Sequence, residues 1–96
     1  MSEVGQPPSE EQKAKLRLAV LDAYLLAAER RSEVMDAVAE AHDPDEARRS
    51  VAHLLGITED AASGVLDLRL VRFSKSEVAL HRSESNDIRQ RLDRGH

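Results

Sequence analysis

Apolar positions recur at helical spacing along most of this chain. Ala14, Leu18, Leu21, Leu25 and Ala28 are spaced 4, 3, 4, 3, a coiled-coil-like seam. Between residues 18 and 28 every position except Asp22 is apolar, and Val20, Tyr24 and Ala27 make a second stripe. One partner face needs only one stripe. The pattern therefore predicts a first helix over about residues 10–41, covered on two sides. It fits either the central helix of a monomeric bundle or a helix with one stripe turned to another subunit. Val78, His81, Ser85, Ile88 and Leu92, spaced 3, 4, 3, 4, predict a more polar last helix over about 75–92. That weaker seam can run antiparallel to the first half of helix one. No segment alternates with period two over a useful length, so the chain reads as all-α.

Helix boundaries are marked by their own chemistry. Ser9 with Gln12 three residues on, and Ser74 with Glu77, each have the pattern of a capping box. Asp43 with Pro44 and Glu46 joins three start signals in one place. Thr58 can cap a further helix whose positive end receives Glu59 and Asp60. Gly56 suits the left-handed position after Leu54 and Leu55, with Ile57 placed for the accompanying apolar contact. These signals predict about four helices, two longer ones pairing antiparallel with a small helical knob between them. Residues 1–8, with Gly5, Pro7 and Pro8, read as a disordered leader, 9–92 as the helical domain and 93–96 as a tail. Gly64 lies inside a predicted helix, where it costs about 1 kcal/mol relative to alanine, and close helix approach is its expected use.

Composition narrows the picture. A chain of 96 residues is one small domain, and with only Tyr24 and Phe73 as aromatics its core must be aliphatic. Such a core is marginal alone at this length, and oligomerisation is a common remedy. The absence of cysteine excludes disulfides and fits a cytoplasmic location. No signal-peptide pattern and no membrane-spanning apolar run are present. The net charge of −4 is unevenly placed: residues 1–68 carry 7 basic and 14 acidic side chains, residues 69–96 carry 7 basic and 4 acidic. This predicts a basic last helix beside an acidic first one, or simply solvated faces.

No catalytic constellation is present. His42, His53, His81 and His96 have no metal-ligand spacing, so no metal or other cofactor is expected. There is no glycine-rich phosphate loop and no serine, histidine and aspartate arrangement. Asp43, Asp45 and Glu46 are accounted for by capping. Asp67 is expected to meet Arg48, Arg72 or a partner's arginine. Residues 50–66 are similar to a helix-turn-helix, with Ala52, Gly56 and Val65 at its small, turn and buried positions. The would-be recognition helix opens on Glu59 and Asp60 and offers no cation before Arg69. Phosphate neutralisation dominates DNA affinity, so DNA binding is not expected.

Residues 43–49 (DPDEARR) and 66–73 (LDLRLVRF), with the turn and helix between them, resemble a short segment of the A subunits of bacterial type IIA topoisomerases, the gyrase and topoisomerase IV family. The family pattern there is "DP-E-A", then "-GL-E-QA-AIL", then "LDMRL-RL". Upstream, residues 20–29 (VLDAYLLAAE) look like the family's "ILEGLLIALD", and residues 32–35 (SEVM) like its "DEVI". Departures are Ala23 for a glycine, Arg30 and Arg31 for an "NI"-like pair, and residues 73–77 (FSKSE) for "LTGLE".

The resemblance implies the small knob through which two A subunits dimerise, at the end of a coiled coil, without the upstream domain that bears the active-site tyrosine. Tyr24 matches an apolar helix position and carries no nucleophilic role. The expected function is non-catalytic self-association as a homodimer. Aliphatic burial from Val65, Leu66, Leu68, Leu70 and Phe73 would drive it, with one stripe of helix one. Leu25, Ala28, Leu66, Leu70 and Phe73 are the candidate interface residues. A topoisomerase A subunit is an alternative partner, a small DNA-binding regulator a further alternative, and no membrane association is expected.

Overall fold

The computed structural model describes residues 9–94; the proposed leader over 1–8 and the last two residues lie outside them. The described residues are all-α. Five helices follow in order: α1 (Glu10–Glu29), α2 (Arg31–Glu40), α3 (Pro44–Leu55), α4 (Glu59–Leu66) and α5 (Lys75–Arg94). A 3-10 turn, η1 (Leu70–Phe73), joins α4 to α5.

The long first helix breaks. Arg30 leaves the helical region (φ −117°, ψ 34°), and α2 sets off at a new angle to pack on α3. No glycine or proline marks the break. Side chains satisfy what it frees. The Arg31 guanidinium donates to the Ala28 carbonyl in the last turn of α1 (2.9 Å). Arg30 donates to the Leu54 carbonyl at the end of α3 (2.9 Å) and forks onto the Glu33 carboxylate (2.8 Å on each arm). Two consecutive arginines thus stabilise a corner where period alone continues the helix.

The caps follow the sequence closely. Ser9 and Gln12 exchange side-chain bonds (3.1 and 2.9 Å), a complete capping box. The Asp43 carboxylate accepts from the Glu46 N–H (2.8 Å), and Thr58 accepts from the Ala61 N–H (3.0 Å). Two reciprocal arms go elsewhere. The Glu46 carboxylate takes the N–H of His42 and the His42 ring (3.0 Å each), and the His42 amide bond is the main cause that lowers its pKa. Glu77 takes Arg72 (3.1 Å), while the Ser74 N–H donates to Val71 (3.0 Å), so no capping box closes at Ser74. Gly56 has φ 67°, and the Ile57 N–H reaches back to the Ala52 carbonyl (3.0 Å), closing α3 with a left-handed cap.

Two packing zones result. In the first, α1 and α5 run antiparallel. All ten residues of the two predicted seams are buried or half-buried, with Leu21, Leu25, Ala28, Ser85 and Ile88 at the centre. Ion pairs flank it: Arg17 with Glu84 (2.9 Å), Asp22 with Arg89 (2.7 Å) and Glu29 with Arg82 (3.5 Å). Two of these pairs set a carboxylate of α1 against an arginine of α5 and the third is reversed, so the charge asymmetry of the sequence is only weakly expressed across this seam. Hydrogen bonding to Arg17 is the main cause that holds the Glu84 carboxyl below the usual carboxylate range. These pairs are half-exposed, so each contributes less than about 1 kcal/mol and apolar burial dominates.

The second zone is the knob, where the far end of α1 packs with α2, α3 and α4 around Ala23, Ala27, Val34, Val51, Ala52, Leu55, Ala62 and Val65. Small side chains let the helices approach closely. The same smallness limits the apolar area each buries, which keeps the domain marginal.

Gly64 does not serve close approach. A Cβ built on it meets nothing within 4 Å, and its backbone is helical. Gly64→Ala is therefore expected to stabilise the chain by about 0.5–1 kcal/mol and raise the melting temperature by a few degrees. A lower melting temperature by circular dichroism would reveal a contact at Gly64 that the fold lacks.

Candidate functional site

The Leu70–Phe73 turn is where the knob presents apolar surface. Its position is fixed by Tyr24. The Tyr24 ring is buried on the α1 side, stacked on Phe73 (centroids 5.8 Å apart) and tilted against His81 (4.8 Å). Its hydroxyl donates to the Arg72 carbonyl, which ties η1 to α1 across 48 residues of sequence. Burial pushes the Tyr24 pKa up and the charge of Glu77 adds to the rise, with Arg72 opposing. His81 is fixed in turn: its Nδ1–H donates to the Glu77 carbonyl one turn back (2.9 Å). The sequence assigned Tyr24 to packing. The structure adds that it positions the turn.

With Phe73 held inward, the preceding side chains of η1 point out. Leu70 is 70% exposed and Val71 64%. Facing Leu70 across a shallow groove of about 550 Å³ stands α2, with Met35 at 52% exposure. Val34 and Phe73, its less exposed lining residues, form the floor, and Arg31, Ser32, Asp36 and Ser74 complete the walls. Nothing in the described chain covers this groove. Leu70 and Met35 thus share an exposed apolar groove with charged edges, the usual anatomy of an interaction surface, and Val71 is exposed beside Leu70 in the chain.

The five candidate interface residues separate in space. Leu70 stands at the rim of the groove and Phe73 on its floor. Leu66 is half-buried against the knob core. Leu25 and Ala28 are buried, on the stripe of α1 that takes α5. Of the other residues expected to contribute, Val65 is in the core and Leu68 is half-buried. Met35 was missed. The signal that could have found it is its phase: Val34, Ala37 and Val38 form the covered stripe of α2, and Met35 falls outside it. A further apolar pair, Leu16 and Val20, stays exposed one turn apart on α1.

No group of three or more potential metal ligands comes together among the described residues, and no helix among them is long and apolar enough to cross a membrane. Asp67 meets neither Arg48 nor Arg72: Arg48 bridges Asp45 (2.8 Å) and Glu59 (3.3 Å), and Arg72 holds Glu77. α3 and α4 pack through the tight turn at Gly56, as in a helix-turn-helix, but the leading carboxylates Glu59 and Asp60 are exposed at the entry of α4.

Against known proteins, the chain is 33% identical over 76 residues to the DNA gyrase A subunit of Thermotoga maritima. The match takes in 79% of this chain and 10% of that protein, so the chain spans a tenth of the length of this relative. No family model matches the chain. It is therefore an all-α module similar in sequence to a small part of a gyrase A subunit.

Proposed function

We propose that the chain is a non-catalytic self-association module, a cytoplasmic homodimer whose contact is the η1 and α2 surface. The observation that carries this is the uncovered groove with Leu70 and Met35 exposed on its two sides. A domain with so small a core gains stability by covering such a surface with a second copy. The sequence similarity to the gyrase A subunit supports the same reading, through the resemblance to a dimerisation knob. Leu70 and Phe73 would make direct contact. Leu66 would support that surface from within, whereas Leu25 and Ala28 are taken up inside the protomer by the seam between α1 and α5 and would make no contact with the partner.

Folding linked to dimerisation makes the melting temperature depend on protein concentration. The melting temperature, followed by circular dichroism, is expected to rise steadily over a hundredfold increase in concentration. A melting temperature that stays constant, with helicity intact, would contradict the proposal.

The similarity to the gyrase A subunit favours a second reading, in which the same surface docks on the A subunit of a topoisomerase to regulate it. A DNA-binding role through α3 and α4 has the helix-turn-helix outline in its favour and the acidic opening of α4 against it. Short duplexes titrated at physiological salt are expected to show no binding, because a reader of DNA needs cations where Glu59 and Asp60 stand. Tight, salt-sensitive binding would replace the self-association reading with the DNA-binding one.

A further inference from the structure

We propose that a second copy of this chain occupies the groove with a two-fold axis running along it, so that the acidic face of α2 lies over the basic surface around η1 of the partner copy. This rests on the self-association reading and specifies its symmetry. The two segments that flank the groove differ in net charge: α2 carries Arg31, Glu33, Asp36 and Glu40, and residues 69–75 carry Arg69, Arg72 and Lys75. On the α2 side, Asp36 lines the groove and Glu40 follows one turn on. On the η1 side, Arg69 precedes Leu70 and Lys75 follows Ser74, itself a wall residue. All four are exposed, and none takes part in an ion pair among the described residues. Of the other charges nearby, Arg72 holds Glu77, Glu33 holds Arg30 and Asp67 lies two residues before Arg69, while Arg31, whose guanidinium donates to the Ala28 carbonyl, keeps its positive charge at the first turn of α2 and lessens the acidity of that side without reversing it.

A two-fold contact is self-complementary, so each wall of the groove must meet a wall of the other copy. An axis across the groove lays α2 on α2 and sets Asp36 and Glu40 against their own counterparts. An axis along the groove lays α2 over η1 instead. Each carboxylate then faces the basic side of the other copy, a contact made twice in the dimer, and Leu70 of one copy sits above Met35 of the other. Complementary charge decides register and suppresses the like-charged alternative.

Asp36→Lys and Arg69→Glu, each alone, would turn two attractions per dimer into two repulsions. Each variant is expected to dimerise about tenfold more weakly by sedimentation equilibrium. An equimolar mixture of the two is expected to regain the wild-type affinity, because the mixed dimer pairs opposite charges at both positions. A fold defect in either variant could not be rescued by mixing, so recovery reports the contact itself. Weakening of both variants with no recovery on mixing would overturn the proposed axis. Dimerisation unchanged in both variants, while Leu70→Asp abolishes it, would overturn the axis and leave the self-association reading standing. Dimerisation that also survives Leu70→Asp would overturn the reading beneath it.

Discussion

Leu70→Asp is expected to give a folded monomer. Leu70 is the most exposed large apolar residue of the described chain and makes no core contact, so the aspartate is solvated in a free protomer and helicity should be unchanged. In the proposed dimer the same position would meet apolar surface in both copies. Truncating an anchor of this kind costs about 2 kcal/mol or more at each copy, so the dissociation constant should rise about a thousandfold. An apolar-to-charged change exceeds truncation, because it leaves a carboxylate without water or partner. Helicity by circular dichroism and dimer mass by sedimentation are read on the same sample. A variant that remains dimeric would remove the Leu70 surface from the contact.

Leu21→Ala has the opposite signature. Leu21 is 1% exposed, at the middle of the seam where α1 meets α5. Deleting three carbons there forfeits their burial and leaves a cavity that two long helices cannot fully close. The expected cost is about 2–5 kcal/mol. For a domain of this size that is a large share of the whole stability, commonly about 5–15 kcal/mol. Helicity should be lost at a much lower temperature, and association should fall only because the protomer unfolds. The flanking ion pairs of Arg17, Asp22 and Glu29 are half-exposed and offer little compensation. A melting curve close to wild type would show that the seam contributes less than its burial indicates.

The two variants separate what the sequence made legible from what it did not. Leu21 and Ile88 were legible because the seam is a strict heptad over two long helices, and its buried positions are those the spacing names. The starts of α1, α3 and α4 were legible because Ser9, Asp43 and Thr58 act locally, through bonds to amides three residues away. The corner at Arg30 was not, because its cause is tertiary: the freed carbonyls of Ala28 and Leu54 are met by guanidinium groups, and neither arginine is a helix breaker by propensity.

The groove follows from that corner. With α1 and α2 read as one straight helix, Met35 has no fixed relation to Leu70, and the patch cannot be seen. Residues 66–73 were legible as an apolar run, but its division was not. A 3-10 turn pinned by the Tyr24 hydroxyl turns Phe73 in and Leu70 and Val71 out, and no period in the sequence encodes that bond.

Static light scattering of the wild-type chain at micromolar concentration tests the central claim most directly. The protomer has a mass of 10.7 kDa. Self-association through the groove predicts a species of twice that mass, with full helicity and a single melting transition. A well-folded species of 10.7 kDa that does not change with concentration would contradict it.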